Sequence, residues 1–221
     1  FYAERAKGGT PLVVTGGFSP NADGNFYDHP AEMASPADRD RHRVIPQAVH
    51  EAGGRILLQL LHTGRYGAHK KNVAPSAIKS PITPFAPREL ASAEVAQTVK
   101  DFGRAAALAR EAGYDGVEVM GSEGYLITQF LAPRTNHRQD EWGGSLENRM
   151  RFAVETVKAV RAAAGKDFLL LFRISVLDLV EGGLSGEETA ALARAIEAAG
   201  ADFLNSGVGW QRGTFTAVAT A

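Results

Sequence analysis

Four times along this chain a helical stretch closes on a glycine and gives way at once to a short apolar run. EAGGRILLQL begins at Glu51, EAGYDGVEVM at Glu111 and EAAGADFLNS at Glu197, with AAAGKDFLLLFRIS from Ala162 as a looser copy. Glycine accepts the left-handed backbone that stops a helix, and an apolar run without clean alternation suits a strand covered on both faces. The repeat therefore specifies an α/β chain with a parallel sheet. Strands are expected near residues 12–15, 55–60, 116–120, 168–174 and 202–206.

Positions three and four apart share one helical face, which places the intervening helices. Val95, Val99, Phe102 and Ala106 form one apolar stripe; Leu146, Met150, Val154, Val157 and Val160 form another. Ser145 is the expected N-cap of the second, with Glu147 in its first turn. Ser185 and Glu188 have capping-box spacing ahead of Leu192, Ile196 and Ala199.

Such alternation allows a doubly wound open sheet or part of an eight-stranded barrel, and the polar residues favour the barrel. Thr15 to Gly17, Gln59 with His62, Gly121 to Tyr125, Arg173 with Ser175 and Asn205 to Gly209 all lie where an apolar strand ends. In a (β/α)8 TIM barrel these ends open on one face and can build one site. About five of eight strands are legible, with the first and the last two absent. FYAERAKGG at the start reads as the end of a helix, so a fragment is expected. The loops at about 19–35 and 63–88 are long and rich in Pro and Gly, either functional walls or plain insertions.

Composition removes several classes of function. The 221 residues carry 24 Lys and Arg against 25 Asp and Glu, so no broad charge draws the chain to nucleic acid or an anionic membrane. With no cysteine there is no disulfide, thiolate zinc site, cysteine nucleophile or cysteine-ligated cluster. No apolar run approaches the roughly 20 residues that cross a bilayer, and a cytoplasmic protein is expected. The histidines lack metal-ligand spacing and no metal is expected; neither Gly-x-Gly-x-x-Gly nor a Walker loop occurs.

Within the segment 121–152, Tyr125 is either a proton donor, since a phenol is neutral at pH 7, or rim packing. Arg173 interrupts the apolar run FLLLFRIS and needs a partner, either a protein carboxylate or an electron-rich ligand group. Gln59 in LLQLLH is a satisfied core amide or a ligand contact. His62, Arg65, His69, Lys70 and Lys71 make the next loop basic, which suits a phosphate-bearing substrate, although solvated loop charge is the simpler reading.

Together the motifs resemble the old yellow enzyme family of flavin-dependent reductases. LLQLLHTGR (57–65) is similar to that family's strand-three motif, and GYLITQFLAPRTNHRQDEWGGSLENRMRF (124–152) to its strand-four loop and following helix. FYAERA, VVTGG, APSAI and LDLVEGG extend the resemblance, which is strongest to the bacterial NADPH-dependent 2,4-dienoyl-CoA reductases. It implies that residues 1–221 are part of an FMN-binding barrel in a longer enzyme that also carries FAD and a 4Fe-4S cluster, on domains absent here. It implies an acyl-CoA or enoate substrate whose C=C bond is reduced. Gly17, Gln59 and Arg173 would hold FMN, Tyr125 would donate the proton, and Arg134 and Gln211 would face the substrate. One departure stands out: where those reductases place a histidine after Gly-Trp, this chain has Gln211, whose amide cannot exchange a proton near neutral pH. That leaves open a same-family enzyme on another substrate, such as an amine dehydrogenase. A flavin-free barrel lyase would want a lysine at a strand end, and none is there.

Overall fold

A computed structural model of the protein describes residues 1–28 and 31–210. Helix α1 (Tyr2–Lys7) leads into strand β1 (Leu12–Phe18), followed by helices α2 (Pro36–His42) and α3 (Val44–Glu51) and strand β2 (Arg55–Leu60). The loop after β2 holds two short strands, β3 (Val73–Ala74) and β4 (Arg88–Glu89). Then come α4 (Ser92–Ala112), β5 (Gly116–Gly121), α5 (Leu126–Leu131), α6 (Leu146–Ala164), β6 (Leu169–Leu177), α7 (Gly186–Ala199) and β7 (Phe203–Val208).

The five long strands form one all-parallel sheet in the order β1-β2-β5-β6-β7. The order never reverses, as in an arc of a barrel and unlike a doubly wound sheet, which reverses at a switch point. The expected strands are all present, with β1 and β6 running three residues further than the sequence indicated. The repeat acts as read: Gly113 and Gly200, just past α4 and α7, sit at φ 100° and 112° in the left-handed region that stops a helix.

The helices pack outside the sheet, and their caps are those expected. Ser145 Oγ accepts the Asn148 N–H at 3.3 Å. Ser185 Oγ accepts from Glu188 N at 3.2 Å while the Glu188 carboxylate accepts from Ser185 N at 3.0 Å. The α4 stripe is buried as expected. On α6 the buried face is rotated: Arg149, Phe152, Ala153, Thr156, Val157 and Val160 point inward, whereas Met150 and Val154 are only half-buried. Phe152 sets this rotation, because its ring stacks on Phe130 at 4.4 Å and meets Phe102 edge-on at 6.4 Å. Burying a phenylalanine stabilises by about 1.5–3 kcal/mol, enough to turn the helix onto its aromatic face. Gly103 permits that approach, since a Cβ there would lie 3.0 Å from the Ala159 carbonyl oxygen.

The loop at 63–88 is not the solvated wall its charges suggested. Lys70 and Lys71 are exposed, but His62, Arg65 and His69 are buried. Backbone contacts draw it in: the Arg65 N–H donates to Gln129 Oε1 at 3.0 Å, and Thr83 Oγ1 donates to the Arg65 carbonyl at 3.1 Å. Among the described residues no helix is long and apolar enough to cross a membrane.

Candidate active site

Side chains two apart on a strand share a face, and register then decides which strands meet. Gly17 of β1 pairs with Gln59 of β2, which pairs with Glu118 of β5; Arg173 of β6 pairs with Asn205 of β7. All five line one cavity of about 490 Å³, together with Thr15, Met120, Glu123 and Tyr125. Such a volume suits a small organic ligand or cofactor.

A bulge in β1 shapes the near wall. Register shifts between Val14 and Gly17, and the displaced Thr15 accepts the Gln59 backbone N–H through Oγ1 at 3.0 Å. Gly17 is glycine because a Cβ would lie 2.7 Å from Leu61 Cβ and 3.2 Å from Gln59 Oε1.

Glu118 is the anchor of the floor. It is 1% exposed, accepts from Gln59 Nε2 at 2.7 Å through one oxygen, and accepts from Asn205 Nδ2 at 2.6 Å through the other. The second bond reaches across β6 from β5 to β7, so the sheet curls around this carboxylate. Higher in the cavity Glu123 Oε1 accepts from Arg173 Nε at 3.1 Å and Nη2 at 3.0 Å. Of the two partners open to Arg173, a protein carboxylate is present. Both side chains remain about a quarter exposed, and the guanidinium keeps further N–H donors unspent. Glu123 makes this contact from φ 63°, where a residue with a Cβ is strained.

Tyr125 caps the start of α5 beside this pair, half-buried, its ring edge-on to Tyr66 at 5.8 Å. Burial, and after it the negative charge of Glu123, push the phenol above its ordinary value, so it is protonated at neutral pH. It can give a proton and has little tendency to take one.

Gly17, Gln59, Tyr125 and Arg173 are thus brought together. Arg134 is not among them; it lines a second cavity of about 940 Å³ with Arg65, Lys79, Glu181 and Trp210. Gln211 lies outside the described residues. Glu118 escaped the sequence reading, though its signal was available: a charged residue inside the apolar run GVEVM poses the same problem as Arg173 in FLLLFRIS.

Residues 1–212 match the NADH:flavin oxidoreductase / NADH oxidase family, whose flavin is FMN. The chain belongs to this family. A metal reductase of Desulforamulus reducens is 40% identical over 219 residues, covering 95% of this chain and 32% of the relative. The 2-naphthoyl-CoA reductase in complex with 2-naphthoyl-CoA superposes with a TM-score of 0.89 at 33% identity, over 95% of this chain and 34% of that one. An old yellow enzyme homologue from Zymomonas mobilis gives 0.83 at 30% identity, over 94% and 62%. The fold is accordingly that of the old yellow enzyme (β/α)8 barrels, of which these five parallel strands are an arc. The chain spans about a third of the length of the first curated relatives it matches.

The polar groups of the smaller cavity suit a flavin edge. The pyrimidine side of an isoalloxazine alternates carbonyl acceptors with one N–H donor. Gln59 has Oε1 free to accept because its Nε2 is committed to Glu118, and Arg173 has N–H groups to donate.

Proposed function

We propose that this chain is the FMN-holding part of a longer NAD(P)H-dependent reductase of C=C bonds conjugated to a carbonyl, with a 2,4-dienoyl-CoA as substrate and Tyr125 as proton donor. On this reading residues 1–221 belong to one barrel domain, and further domains carry the 4Fe-4S cluster and FAD that relay electrons from NADPH. The observation that carries it is the meeting of Gln59, Arg173 and Tyr125 in one cavity of a chain from this family.

When bound, FMN supplies the hydride. The residues of the chain do the rest. Gln59, fixed by Glu118, would orient the ring, and Gly17 leaves its approach unobstructed. Arg173 offers positive charge where negative charge collects on reduction, an arrangement effective because it is in place beforehand. Tyr125 would deliver its phenolic proton to the carbon next to the carbonyl, balancing the hydride added at the other end of the conjugated system. Burial keeps that proton on the oxygen until it is needed. The 2-naphthoyl-CoA reductase, a structural neighbour whose ligand is likewise an unsaturated acyl thioester, supports the substrate class.

The test is the absorption spectrum of the full-length protein. Flavin and iron–sulfur bands are expected, and a colourless, folded protein overturns the proposal. Turnover of a 2,4-dienoyl-CoA with NADPH then tests the reaction.

A further inference from the structure

The smaller cavity sets two carboxylates, Glu118 and Glu123, against one cation, Arg173; the larger cavity differs in charge. Its lining has three cations, Arg65, Lys79 and Arg134, against one carboxylate, Glu181. Arg134 donates through Nη1 to the Glu181 backbone carbonyl at 3.1 Å, and among the described residues none of the three cations has a carboxylate within ion-pair distance. Arg65 is only 5% exposed and meets the Trp210 ring at 5.7 Å. Its side chain hydrogen-bonds the Tyr66 phenol, yet its Nε, like Trp210 Nε1, is buried without a partner. A buried cation with spare donors and no counter-ion is costly unless an anion completes it.

This cavity shares a wall with the one below Tyr125. Gly124 is wedged so tightly there that a Cβ would lie 2.5 Å from Tyr66 Oη and 2.9 Å from the Trp210 ring. Tyr66 itself packs on Tyr125, and Trp210 bridges to Glu123. A substrate reacting at Tyr125 has this basic chamber as its next space. A guanidinium pair and an ammonium suit phosphate oxygens, and 940 Å³ exceeds what an acyl chain alone requires.

From this we infer that the Arg65–Lys79–Arg134 cavity is the subsite for the phosphate-bearing carrier of an acyl thioester. The inference rests on the reductase reading above and adds the part of the substrate that fixes affinity. The full-length flavin-loaded enzyme is assayed on two thioesters of one acyl group, the CoA ester and the N-acetylcysteamine ester, which has no phosphate. A preference in kcat/KM for the CoA ester is expected, and in Lys79→Ala/Arg134→Ala that preference falls roughly tenfold, expressed in KM. Adenosine 3′,5′-bisphosphate is expected to compete with the CoA ester where equal inorganic phosphate does not. Equal kcat/KM for the two esters, a preference unchanged in the variant, equal competition by inorganic phosphate, or a rise in KM for NADPH instead overturns the subsite. If neither ester turns over, the reductase reading fails. The subsite is then judged by equilibrium binding of adenosine 3′,5′-bisphosphate to the full-length protein: a roughly tenfold loss in the variant supports it and no loss overturns it.

Discussion

The two cavities divide the polar residues of this face in opposite ways. In the smaller one every charge has a protein partner: Glu118 holds Gln59 and Asn205, and Glu123 holds Arg173. In the larger one three cations face a space with no ion pair among the described residues. A paired group keeps a shape when no ligand is bound, whereas unpaired charge stores affinity for something that arrives. The first cavity is therefore built to position and the second to attract.

The sharpest way to break this contrast is Tyr125→Phe. Loss of the proton donor should cut C=C reduction by about 10²–10⁴-fold while NADPH-driven flavin reduction, followed by stopped-flow absorbance, stays nearly intact. Unchanged reduction would remove Tyr125 from the acid role.

Glu118→Leu comes next. It leaves the Gln59 and Asn205 amides without their shared acceptor and should cost roughly 3 kcal/mol in urea unfolding, with flavin released on dilution. A variant with full stability would show that the floor is not held by this carboxylate.

For Arg173→Met a stability change below about 1 kcal/mol is expected, because the pair with Glu123 is partly exposed and screened. Flavin retention should nevertheless fall roughly tenfold in equilibrium dialysis, since charge-assisted hydrogen bonds are the strong ones. A large stability loss with flavin retained would invert the assignment.

Ser185→Ala is the structural baseline, lining neither cavity, and should cost about 1 kcal/mol. Burial tends to raise the Glu188 carboxyl, but hydrogen bonds from Ser185 and Arg149 and the Arg149 charge outweigh it and hold the group below its ordinary 4.5. Because the folded value is depressed, this stabilisation is complete above about pH 4.5 and disappears as the pH drops through the folded value. Thermal melts from pH 6 to 3 should show wild type and Ser185→Ala losing this stabilisation nearly alike, because the Ser185 backbone N–H and Arg149 that depress Glu188 remain in the variant, whereas Glu188→Gln should lose less.

Much of the fold was legible because its signals are local. The helix-glycine-strand repeat gave the parallel order, and Ser145 and Ser185 marked their helix starts through spacing alone. The face of α6 was misread because Phe152 packs on Phe130 and Phe102, contacts that no period within the helix records. Gln59 and Arg173 were legible as polar residues in apolar strands, and Glu118 carried the same signal unread. The burial of Arg65 and His69 was illegible for a different reason: it depends on Gln129 and the Asn25 carbonyl reaching the loop from elsewhere in the chain, and on Thr83 folding back from the loop's own far end.

Glu123 holds Arg173 from a backbone conformation that costs a residue with a Cβ about 1–2 kcal/mol. The turn is pinned through its own backbone, since the Glu123 N–H donates to Ser175 Oγ at 3.1 Å and the residue bridges to Trp210. The carboxylate therefore stays aimed at Arg173 while the remaining guanidinium donors face the cavity. Glycine at 123 would ease the turn but leave Arg173 without the carboxylate that holds it.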